Sequence, residues 1–393
     1  MTGIRSGNRS GFKSAARLAS VGIVGTVAAV LLAACGGSTT TATSSAAAPA
    51  PSAPAATEAA PSTEAAPTTI MLQIPPVLKS QDVLSVEVPI APEGTKLGFV
   101  VPILAEPGET SMAAGTTYAS SIMGVATDVV DANLDLSKQL QLSEDFLARG
   151  YNGVMGIELF PATLDAFFSK ADSKGVPNVT VFSSRPASLQ EDATMPGIDT
   201  AMMISAKFPD GATGVMLSDT PAPVIVNREL GFEALVDTSK CKGCALDGVD
   251  LPSDSTSNIQ VLEMQRNMAE SLDGARKMAE DLIQKHPDIQ FIWASNDVGG
   301  LGAAAAVKAA KKDIMVFGMN GDPAAVAAVA AGEMTATFDA NQNKMGMLLV
   351  AQALKWIANG EAPENILLPF TTITKDNAAD YIPWGDRAQW AQN

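Results

Sequence analysis

Histidine is almost missing from this chain: His286 is the single one in 393 residues. A Ser-His-Asp site needs a histidine beside its nucleophile, and His286 falls in a Lys-His-Pro-Asp run that reads as a helix end. Zinc lacks ligands too, because Cys241-Lys242-Gly243-Cys244 has no second cysteine or histidine pair to complete a tetrahedral site. There is no G-x-S-x-G elbow, no H-E-x-x-H helix and no G-x-x-x-x-G-K phosphate loop. Gly299-Gly300-Leu301-Gly302 follows a strand, but it lacks dinucleotide spacing and reads as a tight turn with close packing. These absences argue against an enzyme, a metal and a cofactor. Positive charge is scarce as well, with 26 Lys and Arg against 42 Asp and Glu and a formal net charge of −16. Such a chain offers no broad basic face to nucleic acid.

The N-terminus is the exception to that acidity. Residues 1–34 carry Arg5, Arg9, Lys13 and Arg17 and no acid, then a short apolar core over 21–32 and Leu32-Ala33-Ala34-Cys35. A positive flank, a core too short for a spanning helix and a small-residue end form an export signal. The ending resembles a bacterial lipoprotein box, which implies cleavage before Cys35, acylation of its sulfur and a membrane held through that lipid. Losing the four positive charges takes the formal charge from −16 to −20. Residues 36–69 contain only Gly, Ser, Thr, Ala, Pro and two glutamates, so nothing there offsets the entropy of ordering, and 35–69 reads as a disordered linker. It would span roughly 30 Å as a coil and on the order of 100 Å if pulled straight. Outside the cytosol, Cys241 and Cys244 are expected to form a short structural disulfide, with redox work and half a zinc site as the other uses of such a pair.

The body of the chain reads as α/β. Residues 291–294 (Phe-Ile-Trp-Ala) make a strand buried on both faces, 301–310 is alanine-rich helix, and 314–317 (Ile-Met-Val-Phe) is a second strand parallel to the first. Ser295-Asn296-Asp297 and Met319-Asn320-Gly321-Asp322 fall at the carboxyl ends of those strands, where open parallel sheets bind ligands. Asp297 and Asp322 are also placed to cap helices, Asp322 especially, with Pro323 in the first helical position. Upstream, strands at 97–101, 128–131, 153–158 and 178–182 alternate with helices at 111–128, 137–149 and 161–174. A less regular stretch over 183–212 leads to a second ladder: strands at 214–218, 259–263, 334–338 and 366–370, and helices at 222–236, 275–283, 323–331 and 345–357. Two such ladders make two Rossmann-like lobes with parallel sheets and a hinged cleft. Residues 70–95, with several prolines, read as an extended lead-in over the domain.

Six stretches taken in order resemble one family: KLGFVVP (96–102), EPGETSMAAG (106–115), RELGF (228–232), HPDIQFIWASND (286–297), DIMVFGMNGDP (313–323) and ITKDNAADYI (373–382). Together they are similar to the type I periplasmic binding proteins of sugar ABC transporters, near the ribose- and galactose-binding members. The resemblance implies one lobe from 96–198 and 340–368 and another from 199–339 and 369–393. It implies a monomer, lipid-anchored outside the cytoplasmic membrane, that hands a small sugar-like molecule to an ABC permease. The alternatives are a receptor subunit that reports occupancy to a signalling partner, or a binder of a polyol, amine or nucleoside. Carried over residue by residue, the family's hydroxyl clamp falls on Arg228 and its strand-end asparagine on Asn296. Asn320 stands where the family often has aspartate, and Glu106 where it has an amide. The Asp-Arg pair that grips sugar hydroxyls falls on Phe182 and Ser183, and the stacking aromatics on Gly108 and Glu109. Glu106 and Glu158 are either an acidic side of the pocket or solvated loop charges. None of Arg228, Asn296 and Asn320 is expected to support the core.

Overall fold

The computed structural model describes residues 68–160, 162–219, 221–236, 259–266 and 271–390. Cys35, Cys241 and Cys244 lie outside the described residues, and so do the acylation and disulfide expectations. Among the described residues no helix is long and apolar enough to cross a membrane.

The chain opens with β1 (Thr69–Ile74) and β2 (Leu84–Pro89), paired antiparallel. The lead-in is therefore a hairpin, because its apolar residues find a partner in each other and in the domain beneath. There follow β3 (Lys96–Val101), α1 (Pro107–Met123), β4 (Ala126–Asp131), α2 (Leu136–Ala148), β5 (Gly153–Ile157), α3 (Asp165–Ser173), β6 (Asn178–Val181) and β7 (Leu189–Asp192). Next come α4 (Thr194–Lys207), β8 (Ala212–Leu217), α5 (Pro223–Val236), β9 (Ile259–Gln265), α6 (Leu272–Lys285), β10 (Phe291–Ala294), α7 (Asp297–Ala310), β11 (Met315–Met319), α8 (Pro323–Ala331) and β12 (Ala336–Asp339). The chain ends with α9 (Gln342–Asn359), β13 (Ile366–Pro369), β14 (Thr371–Thr374) and α10 (Trp384–Trp390).

Two six-stranded sheets result. The first, ordered β13-β7-β6-β5-β3-β4, is wholly parallel; the second, β14-β12-β11-β10-β8-β9, is parallel except where β14 runs against β12. The expected parallel pairing of the 291–323 unit is there, with Phe291 opposite Met315. Each sheet buries an apolar layer. Phe99, Met155 and Val179 meet Met347, Leu348 and Leu354 of α9 in the first, while Trp293 stacks on Phe232 at 5.4 Å in the second.

Local chemistry fixes several ends. Glu106 accepts the Glu109 amide at 2.8 Å and Pro107 takes the first helical position, so α1 starts earlier than the 111 that the sequence suggests. Asn341 caps α9, which begins at 342 and not 345, and Gly360 ends it in the left-handed region at φ 76°. The stretch 183–212 is not irregular: it holds β7 and α4. β7 is four residues of Leu-Gln-Glu-Asp, too short and polar to show an apolar run, and only its neighbours β6 and β13 make it a strand. Gly299 to Gly302 form no turn but the first turns of α7, and a Cβ on Gly302 would lie 2.6 Å from that of Ala275 on α6.

Candidate functional site

The loops after the carboxyl ends of the strands in both sheets border one cavity of about 390 Å³. Glu106 reaches it from the β3–α1 turn and Met112 from α1, Ile157 and Phe160 from the end of β5, and Phe182 from the end of β6. From the second sheet come Val224 and Arg228 after β8, Asn296 and Val298 after β10, and Asn320 after β11. A parallel sheet sends each return connection to the same edge, so these short loops collect polar groups from distant parts of the chain.

Arg228 lines the cavity, but its guanidinium is engaged. Nε donates to Glu191 Oε2 at 3.0 Å, Nη2 to both Glu191 oxygens at 2.8 Å, and Nη1 to the Ser295 carbonyl at 3.0 Å. The two side chains are 4% and 3% exposed. Burial pushes the Glu191 carboxyl up, and the Arg228 charge and hydrogen bonds oppose the rise. The expectation that Arg228 leaves the core unsupported is therefore corrected: it is half of a buried ion pair joining α5 of one sheet to β7 of the other. Glu191 is not legible in the sequence as this partner, because it sits in the stretch that reads as irregular.

Glu106 also borders the cavity, and burial raises its pKa against the lowering effect of the Glu109 amide and Arg228. Asn296 is the N-cap of α7, its Oδ1 accepting the Gly299 amide at 2.8 Å. Asn320 holds a φ of 129°, is 6% exposed, and its Oδ1 has no hydrogen-bond donor. Gln342, in the first turn of α9, borders the same cavity with an equally unpartnered Oε1. Nothing in the sequence flagged Gln342, because the helix reads as starting three residues later.

Phe182 reaches the cavity from a left-handed backbone at φ 66°, a conformation rare for an aromatic residue and held by its surroundings. Ser183 and Glu158 are buried and hydrogen-bonded to each other, with burial raising the Glu158 carboxyl, but neither borders the cavity. Gly108 is likewise off the cavity wall, packed on the Gln342 amide, whereas Glu109 is on it and takes the Ile103 amide at 2.8 Å. Asp322 caps α8 as expected, through the Ala324 amide at 2.7 Å. Asp297 does not cap: it is buried, accepting from Thr337 Oγ1 and the Asp322 amide at 2.7 Å each, and burial lifts its pKa to about 7. Among the described residues no group of three or more His, Cys, Asp or Glu could hold a metal ion.

Residues 97–362 match the family model described as a periplasmic binding protein domain. The ribose import binding protein of Bacillus subtilis (strain 168) is 27% identical over 285 residues, 71% of this chain and 87% of that protein. The D-allose-binding periplasmic protein of Escherichia coli (strain K12) is 26% identical over 292 residues, 70% and 91% of the two chains. Among solved structures, the Caulobacter myo-inositol binding protein bound to myo-inositol superposes with a TM-score of 0.65 at 21% identity, covering 74% of this chain and 97% of that one.

Proposed function

This chain belongs to the periplasmic binding protein family, and we propose that it captures a small polar solute, sugar-like in size, in the cleft between its two sheets and delivers it to an ABC importer. The single observation that carries this reading is the cavity of about 390 Å³, a volume typical of small-molecule sites, with a mostly apolar wall and a few polar side chains, Glu106, Glu109, Arg228, Asn296, Asn320 and Gln342, converging on it from both sheets. The relatives named for ribose and D-allose support a solute of that size. The Leu32-Ala33-Ala34-Cys35 ending supports anchoring at Cys35, and the two parallel-dominated sheets support a division into lobes at 96–198 with 340–368 and at 199–339 with 369–393, in a protein acting as a monomer.

The test is a thermal-shift screen of the full chain against sugars, polyols, amines and nucleosides, followed by calorimetry of the hits. A true solute at a hundred times its dissociation constant raises stability by about 2.7 kcal/mol. Asn320→Ala and Gln342→Ala are each expected to weaken binding by about tenfold while the protein stays folded. Binding within threefold of wild type in both variants would move the site elsewhere. For the anchor, Cys35→Ala in a bacterial host is expected to leave the membrane fraction or accumulate as precursor; unchanged retention with normal processing rules it out.

A further inference from the structure

Three stretches of chain cross between the two lobes: 192–194 from β7 to α4, 339–342 from β12 to α9, and 369–371 from β13 to β14. A further connection runs outside them. The hairpin 69–89 precedes the 97–362 family match, and its turn lies against two of the crossings. There Pro75, Pro76 and Gln81 share a cavity of about 210 Å³ with Ala340, Pro369 and Thr371. Leu72 and Ile74 are buried in the core of the first sheet, while Val77 and Leu78 are buried beside the second against Ile373, Tyr381 and Trp384. The Val77 carbonyl accepts the Ile382 amide at 2.9 Å. Gln81 holds the turn in shape: Oε1 accepts the Val77 and Leu78 amides at 3.2 and 3.1 Å, and Nε2 donates to Thr371 Oγ1 at 3.4 Å.

Only Pro75 and Pro76 separate Ile74, the anchor on the first sheet, from Val77, the anchor on the second. Three chain steps reach at most about 11 Å, and proline fixes φ near roughly −65°, which removes much of the freedom to bend. So short and stiff a link has no slack to give when the lobes part. We propose that residues 74–78 form a strap over the hinge that limits how far the cleft opens, so that the empty protein stays near its closed arrangement and gives up little freedom on taking solute. This rests on the solute-capture reading of the cleft and adds what sets its gape.

Pro75→Gly with Pro76→Gly puts slack into the link and leaves every buried anchor in place; Leu78→Ala cuts the second anchor instead. β4 and β9 lie at the sheet edges opposite β13 and β14, and the helices that follow them carry the exposed Lys138 and Lys277. Spin labels introduced at those two positions through non-canonical residues report the gape. Pulsed EPR distances on the empty full chain are expected to lengthen and broaden in both variants. Calorimetry with a solute found in the screen is expected to show about three- to tenfold weaker binding, because the closed arrangement is then less populated in the empty protein. A lowered melting temperature is not the readout, since glycine also frees the unfolded chain. Unchanged empty-state distances in the double-glycine variant overturn the strap, as does unchanged affinity in both variants, and either result leaves solute capture standing. If no solute in the screen binds, capture fails, and the distances on the empty protein still decide the strap.

Discussion

Arg228 is the residue at which position and role part company. Its place in the Arg-Glu-Leu-Gly-Phe run is readable from the sequence, but its partner is not, because Glu191 lies 37 residues away in a strand that only tertiary pairing reveals. Removing one half of a buried ion pair leaves the other charged and desolvated, which costs about 3–5 kcal/mol. Arg228→Met is therefore expected to lower urea stability by that amount, while adding Glu191→Leu restores most of it; additive losses in the double variant would refute the pairing. Asp297 makes a second prediction. Burial holds its pKa at about 7, above the roughly 3.9 of an unfolded aspartate, so the native state keeps a proton that the unfolded state gives up. Stability is thus lost as pH rises from about 4 to 7, by up to roughly 4 kcal/mol for the full shift. In Asp297→Asn the Thr337 hydroxyl can turn to accept from the new amide, and the stability profile over that range is expected to flatten. Parallel wild-type and variant profiles in urea titrations would show that Asp297 does not titrate there.

At the scale of elements, α9 shows what packing adds to propensity. A Cβ on Gly346 would lie 1.9 Å from the Met112 carbonyl of α1, and one on Gly115 would lie 2.0 Å from the Asn343 carbonyl. The two helices approach at backbone distance, with Thr116 Oγ1 donating across to the Gly346 carbonyl at 3.2 Å. Alanine is the better helix former in isolation by about 1 kcal/mol. Here the clash is with backbone and cannot yield, so Gly346→Ala is expected to destabilise by about 1–3 kcal/mol in urea unfolding. A stabilised variant would mean the contact is loose. The same contrast separates legible elements from hidden ones. The β10–α7–β11 unit announces itself because each strand is an apolar run and the helix is alanine-rich, whereas β7 and the β1–β2 hairpin depend on the strands and helices that receive them.

At the scale of the whole molecule, residues 69–89 hold both halves. Leu72, Ile74 and Val88 are buried in the core of the first sheet, while Val77 and Leu78 pack on Val326, Ile373, Tyr381 and Trp384 beside the second. Backbone bonds fasten the second contact, Ile382 N to Val77 O at 2.9 Å and Lys79 N to Asp380 O at 2.8 Å. Ile74→Ala and Leu78→Ala are each expected to cost about 2–4 kcal/mol in urea unfolding, the range for core truncations. Losses below 1 kcal/mol would reduce the segment to a surface covering. It precedes the 97–362 family match, so a segment outside that match ties the two sheets together.

The sequence by itself determined the α/β class, most strands and helices of the two ladders and the strand ends where polar residues gather, but it runs 345–357 and 366–370 on in the second ladder, whereas α9 and β13 belong to the first sheet. Those follow from apolar runs, helix formers and capping residues acting over a few positions. Only the tertiary structure decided which polar groups remain available. Whether Arg228 faces a solute or Glu191, whether Asn320 and Gln342 keep an unpaired oxygen, and whether Glu158 reaches the cavity depend on groups far apart in the chain meeting at one edge. Hydrogen bonding and burial are properties of those meetings, and no local pattern encodes them.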